Sequence, residues 1–477
     1  MSALTQTEHA ELERWIDIIW EKAHELGLDP FPVHFEVAPA HVIYELGAYA
    51  LPARFSHWTY GRDYHVQKTM YEYGVSKIYE LVFNADPSQA FLLDVNDMLS
   101  HKLVIAHVYG HSDFFKHNMT FRHTNRQMIE RCRLHAERIR QYEMKHGPAE
   151  VESLLDALLS IDEHIDPIIE QPKAQEKKKE ARKSETSYDD LIYMVDPKPE
   201  TPVDKDRFPA SPQKDLLLFI RDHSKVLEDW QRDVVEIVRE EMLYFVPQIK
   251  TKIMNEGWAS FWHERILENL PLTAEEHLQF RRMHSSVLQP GSRTSMNPYY
   301  VGYKIFRSIE RRWNGEEADD PEENWMGERI DRPTGEGMSK IFEVREAEND
   351  QSFLHKYLTS NLVKELDLYT YRIEEREGEL VWVVDETDWR KVRNALAEQL
   401  TNFGVPIITV EDGDYEHRGE LYLRHHYDGK PLDMARTSRC LRSIAQLWGR
   451  PVRLETVADD EEIVIICDGQ SVTHIAK

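Results

Sequence analysis

Leu103-Val-Ile-Ala-His-Val-Tyr-Gly-His-Ser-Asp-Phe-Phe-Lys-His-Asn118 opens apolar and then sets His107 and His111 four residues apart. At about 3.6 residues per turn, that spacing places both imidazoles on one helical face, one turn apart. Two imidazoles so placed can share a metal ion, as in the zinc-protease helix H-E-x-x-H. Here Val108 follows the first histidine, so the glutamate that serves those enzymes as general base is absent. The stretch therefore reads either as a metal site without the standard protease base or as two histidines hydrogen-bonded inside a helical core.

A second stretch bears on that choice. Ile253-Met-Asn-Glu-Gly-Trp-Ala-Ser-Phe-Trp-His263 continues a helix expected from about residue 224. Glu256, Ser260 and His263 then stand at i, i+4 and i+7 and share a face. In gluzincin-type peptidases a later helix supplies a glutamate as third ligand, and Glu256 is the matching candidate. A divalent metal, zinc first, is the cofactor these residues imply. A buried aromatic helix (Trp258, Phe261, Trp262) with Glu256 paired to an arginine is the alternative. A base for hydrolysis would have to be His263, on the Glu256 face, or Asp113. The latter lies on a different face from His107 and reads better as a group that orients an imidazole.

Composition bounds the rest. With 477 residues, 41% hydrophobic and 30% charged, the chain is long enough for two or three globular domains. Its formal charge of −26 opposes non-specific binding to nucleic acid or anionic membranes. Cys132, Cys440 and Cys467 stand far apart without a C-x-x-C pair, which fits a reducing cytosol. A basic-then-apolar leader is missing from the first residues, and no run of about 18 apolar residues occurs. The expectation is an intracellular, cytoplasmic protein without membrane insertion.

Along the chain, Arg54-Phe-Ser-His-Trp58 is a loop dense in ligand-binding groups, and Arg54, His57 and Trp58 are candidate substrate contacts. Arg293, in the loop at 289–298, is a further candidate for an anionic substrate group. Val75–Phe83 and Phe91–Leu93 read as strands of a small sheet, and Ser100 is the expected cap of the His107 helix. Residues 168–214, a mixed charge run followed by prolines, read as a flexible insertion. It splits one domain, because His107 and Glu256 lie on opposite sides of it. From about residue 380 the order of elements is β-α-β-β-α-β, the split pattern of ferredoxin-like folds, with an extra strand. The fold class is thus α+β: a mostly helical core over 1–345, with a metallopeptidase-like frame and a small sheet, and a ferredoxin-like regulatory or docking domain over 346–477.

Several ordered motifs carry a family resemblance. They are Arg54-Phe-Ser-His-Trp58, Tyr73-Gly-Val-Ser-Lys-Ile-Tyr-Glu-Leu-Val82, Lys102-Leu-Val-Ile-Ala-His-Val108, Asp113-Phe-Phe-Lys116, Asn255-Glu-Gly-Trp-Ala-Ser260 and Asn297-Pro-Tyr-Tyr300. Asp350-Gln-Ser-Phe353, Tyr357-Leu-Thr359 and Leu366-Asp-Leu-Tyr369 extend them toward the C-terminal region. Together they resemble the stage V sporulation protein R (SpoVR) family. That resemblance implies a cytoplasmic bacterial protein linked to spore cortex formation, or in non-sporulating hosts a stress-related partner of an AAA-type serine protein kinase. No reaction comes with it. From the residues, two functions compete: a metal-dependent hydrolase or amidase, and a non-catalytic regulatory adaptor that retains a metallopeptidase-like frame.

Overall fold

The computed structural model describes residues 5–73, 80–167, 208–291, 295–317, 334–376 and 379–477. The chain begins α1 (Gln6–Glu25), β1 (Val33–Ala38), α2 (Ala40–Tyr49), α3 (Trp58–Glu72), β2 (Glu80–Phe83), β3 (Ser88–Leu93), α4 (Met98–His117) and α5 (Met128–His146). Next come α6 (Pro148–Leu159), α7 (Leu216–His223), α8 (Asp229–Lys250), α9 (Lys252–Glu268), α10 (Ala274–Val287) and α11 (Pro298–Trp313). After α12 (Gly337–Ala347), α13 (Asp350–Tyr357) and α14 (Ser360–Glu365) stand β4 (Thr370–Arg376), β5 (Glu379–Glu386) and α15 (Trp389–Gln399). The last elements are β6 (Ile408–Tyr415), β7 (Glu420–His425), α16 (Met434–Trp448), β8 (Val452–Ala458), β9 (Glu461–Cys467) and β10 (Val472–Ala476).

Two compact units divide these elements, each made of two chain segments: 1–141 with 244–404, and 142–243 with 405–477. The mixed α+β class is as expected, but the boundaries differ. The division expected near residue 345 falls inside the first unit, because α13 and α14 pack with α15 and Gln351 donates to Thr401 Oγ1 at 2.8 Å. Of the expected insertion at 168–214, residues 168–207 lie outside the described residues; Gln213 bridges to Val410 in the second unit.

In the first unit, α4 is buried on every side from Leu99 to Phe115. A helix without a polar face belongs at the centre of a helical layer, and α1, α9 and α12 surround it there. Its N-cap is Asp97, which accepts from Ser100 N at 2.7 Å; Ser100, the expected cap, is the third residue of the helix. The small sheet has the order β1-β3-β2, with β1 parallel and β2 antiparallel to β3. Strand β3 is covered on both faces: Ala90 and Leu92 join the α4 core, while Phe91 and Leu93 join a second cluster around Ile43 and Met128.

Small residues let three helices meet closely. A Cβ on Gly110 of α4 would lie 2.7 Å from the Ala259 backbone of α9, and one on Gly257 of α9 would lie 2.3 Å from the Gly302 backbone of α11. The expected continuous helix through Glu256 is instead broken at Thr251, between α8 and α9. Asp350 holds the new start by accepting from Ile253 N and Met254 N at 2.8 and 2.9 Å.

The second unit has a five-stranded sheet of order β10-β9-β8-β7-β6, in which only β7 and β8 are parallel, joined through α16. This corrects the ferredoxin-like expectation. Strand β5, needed as the first strand of that pattern, pairs antiparallel with β4 in a separate two-stranded ribbon of the first unit. The local propensities were right, but the hydrogen-bond partner of β5 is its hairpin neighbour rather than the later sheet.

Gly257→Ala is expected to cost about 3 kcal/mol, because a backbone cannot rotate away from the new methyl. Gly61→Ala, in α3 with no atom within 4 Å of the added Cβ, should gain up to about 1 kcal/mol instead. Thermal unfolding of both variants checks the contrast; equal effects would contradict the α9–α11 packing.

Candidate metal centre

Helices α4 and α9 bring His107, His111 and Glu256 together. Their ligand atoms lie within 4.8 Å of one another. Glu256 Oε2 is 3.4 Å from His111 Nε2 and 3.7 Å from His107 Nε2. Tetrahedral zinc bound at about 2.0–2.1 Å needs donors roughly 3.4 Å apart, so two imidazoles and a carboxylate at these separations fit such an ion.

The hydrogen bonds behind the donors point the same way. His111 Nδ1 is 2.9 Å from Asn255 Oδ1 and donates to it, which turns the Nε2 lone pair toward Glu256. His107 Nδ1 lies 2.9 Å from His263 Nδ1, and His263 Nε2 lies 2.8 Å from His284 Nδ1. His284 Nε2 in turn faces Glu264 Oε1 at 3.6 Å. If each neutral ring donates outward along this chain, the His107 Nε2 lone pair is left toward Glu256. Glu264 ends the chain, accepting from Tyr303 Oη at 2.7 Å, Arg281 at 2.8 Å and Arg307 at 3.1 Å. Two buried atoms are left without a hydrogen-bond partner at the centre: His107 Nε2 and Glu256 Oε2. Orphaned polar atoms cost about 1–3 kcal/mol each, which a cation between them would offset.

The protonation states suit metal binding. Burial, then the neighbouring His107, brings His111 down to about 4. Burial, then His107 and His284, holds His263 well below the usual imidazole value. Burial alone would raise the Glu256 carboxyl, but its close neighbours His107 and His111 outweigh that and lower it. Neutral imidazoles and an ionised carboxylate are the ligating forms.

Other predicted residues go elsewhere. Asp113 is fully buried and forms a two-oxygen ion pair with Arg345 at 3.0 and 2.8 Å. It also accepts from Trp258 Nε1 and Asp29 N, both at 2.9 Å. Asn255 and His263, not Asp113, orient the two imidazoles, and Asp113 ties α4 to α9 and α12. His263 meets the centre, and both its nitrogens are engaged in the imidazole chain, one by His107 and one by His284. Arg54 lies over Tyr60 at 4.7 Å and donates to Tyr49 O, and His57 is the N-cap of α3. Trp58 is half exposed beside Arg62. Arg54 thus links α2 to α3, while the His57 and Trp58 contacts lie within α3, and none of these contacts includes the His107 cluster. Arg293 lies outside the described residues.

Sequence reasoning missed His284, Asn255 and Tyr299. The last stacks against His107 with ring centroids 5.9 Å apart. Asn255 and Tyr299 sit inside motifs already singled out; His284 had no local signal, because its partner is 21 residues away.

A scan of family models matches the description "SpoVR like protein" over residues 6–405 and "SpoVR-like C-terminal domain" over 406–459. A similar protein is "Uncharacterized protein YcgB" of Escherichia coli (strain K12), 30% identical over 469 residues that cover 92% of this chain and 90% of that one. No solved structure matches the chain.

The pH dependence of the metal-free protein's stability follows from His111. Its folded value of about 4 lies below the ordinary 6.5, so the unfolded chain takes up the proton first. The stability due to neutral His111 is complete above about pH 6.5 and is lost as pH falls toward 4, up to about 3 kcal/mol. Denaturant unfolding between pH 7.5 and 4.5 should show a shallower loss in His111→Asn; an unchanged slope would contradict this burial.

Proposed function

The chain belongs to the SpoVR family, and we propose that its first unit is a metal-dependent hydrolase of amide-like bonds. The observation that carries this reading is the donor set itself: His107 Nε2, His111 Nε2 and Glu256 Oε2 converge, two of them without any other partner. His107, His111 and Glu256 would hold a divalent ion, zinc first. Such an ion supplies Lewis-acid chemistry, polarising a carbonyl and making water nucleophilic near neutral pH.

This chain's own residues do the rest. Asn255 and His263 fix the ligand tautomers and aim them; His284 and Glu264 anchor His263. A helix with His-x3-His beside a small sheet, followed by a helix with the acidic ligand, supports a metallopeptidase-like frame by analogy of arrangement. The standard base is absent, because Val108 is core. The same absence favours a second reading, a non-catalytic adaptor. In it the second unit is a docking or regulatory module for an AAA-type serine protein kinase or other partner. Under either reading the family link suggests a cytoplasmic role in spore cortex formation or stress response.

Elemental mass spectrometry of protein purified without chelator tests the reading. About one zinc or iron per chain is expected, lost in His111→Ala and in Glu256→Ala. Glu264→Gln should retain metal but bind it roughly 10- to 100-fold more weakly, as loss of an outer support does. Wild-type protein without metal, with both ligand variants folded, would overturn the hydrolase and leave the adaptor.

A further inference from the structure

A cavity of about 570 Å³ reaches the candidate centre at one of its three donors, His107, with His263 beside it in the lining. That is the size of a small-molecule site. Leu103 and Val104 of α4 and Met283 and Val287 of α10 make its walls apolar, and Tyr299, stacked on His107, adds a ring. Among the described residues, one charged side chain outside the centre lines it: Arg282, exposed, with Ser286 one helical turn further along α10.

Arg282 stands apart from its neighbours. Arg281 pairs with Glu264 and Glu268, Arg265 with Glu310, and Arg307 with Glu264. Among the described residues, Arg282 has no carboxylate within ion-pair distance. In a chain with 85 acidic and 59 basic side chains, a guanidinium left open beside an apolar cavity is a selective feature. Its fork matches a carboxylate in two-point geometry, and one guanidinium balances one negative charge.

We propose that this cavity binds monoanionic amphiphiles, compounds with an apolar chain or ring that carry a carboxylate. The apolar body lies against Leu103, Val104, Met283 and Val287, and the carboxylate meets Arg282 and the Ser286 hydroxyl. The opposite end of the molecule reaches His107. The substrate class that follows is a carboxylate-bearing apolar amide, which rests on the hydrolase reading for the reaction and on the cavity alone for the binding.

Isothermal titration with octanoate, octanamide and octylammonium tests the binding, on the full chain both as purified and after metal stripping. Stripping removes carboxylate coordination to metal as a cause. Octanoate should bind the stripped protein at least tenfold more tightly than either other probe. Arg282→Glu, at an exposed position, should abolish that preference, and Val287→Trp should weaken all three probes by filling the cavity. Equal binding of the three probes, no binding of any, or an octanoate preference that survives Arg282→Glu would overturn the proposal. So would octanoate binding seen only with metal present. The metal content of the same samples reports on the hydrolase reading separately, so either reading can fail without the other.

Discussion

Everything around the candidate centre depends on how closely α4 and α9 approach. Gly110 faces the Ala259 backbone, and any side chain larger than hydrogen at 110 would hold the helices apart. At that spacing His107 and His111, one turn apart on α4, meet Asn255, Glu256 and His263, which lie within two and a half turns of each other on α9. Gly257 lets α11 close in from the other side and brings Tyr299 and Tyr303 with it. Asp113, fixed by Arg345 and Trp258, and Asp350, at the start of α9, stop the two helices from sliding.

Burying this much polarity is expensive unless each group is paired. The imidazole chain from His107 to His284 satisfies nitrogen after nitrogen, and Glu264, with two arginines and a tyrosine, ends it near the surface. At the shared point of His107, His111 and Glu256 the pairing fails, at His107 Nε2 and Glu256 Oε2. A core selected for stability alone would place apolar residues there, as Val108 and Ile105 are placed on the same helix. The proposed metal ion would offset the cost of these groups, and the cavity beside them would give a substrate a route in.

Much of this centre could be read from the sequence because its parts are local. The four-residue spacing of His107 and His111 needs only helical geometry, and Glu256 follows from one motif on a second helix. The hidden parts depend on distant segments. The break at Thr251 is held by Asp350, nearly a hundred residues on, and nothing near Thr251 announces it except Pro247 within α8. Asp113 looked like a site residue because it follows His111 closely, but its partner Arg345 is 232 positions away. The same limit explains the C-terminal sheet. Each strand and helix was recognisable, yet whether β5 joins β4 or the later strands is decided by pairing, which propensity does not encode.

The most direct measurement is anomalous X-ray scattering from crystals of the protein grown without chelator. The account predicts a single strong peak at the zinc or iron edge, within coordination distance of His107 Nε2, His111 Nε2 and Glu256 Oε2. A map without a peak at that point, or with metal bound at other residues while these three contact only one another, would contradict it.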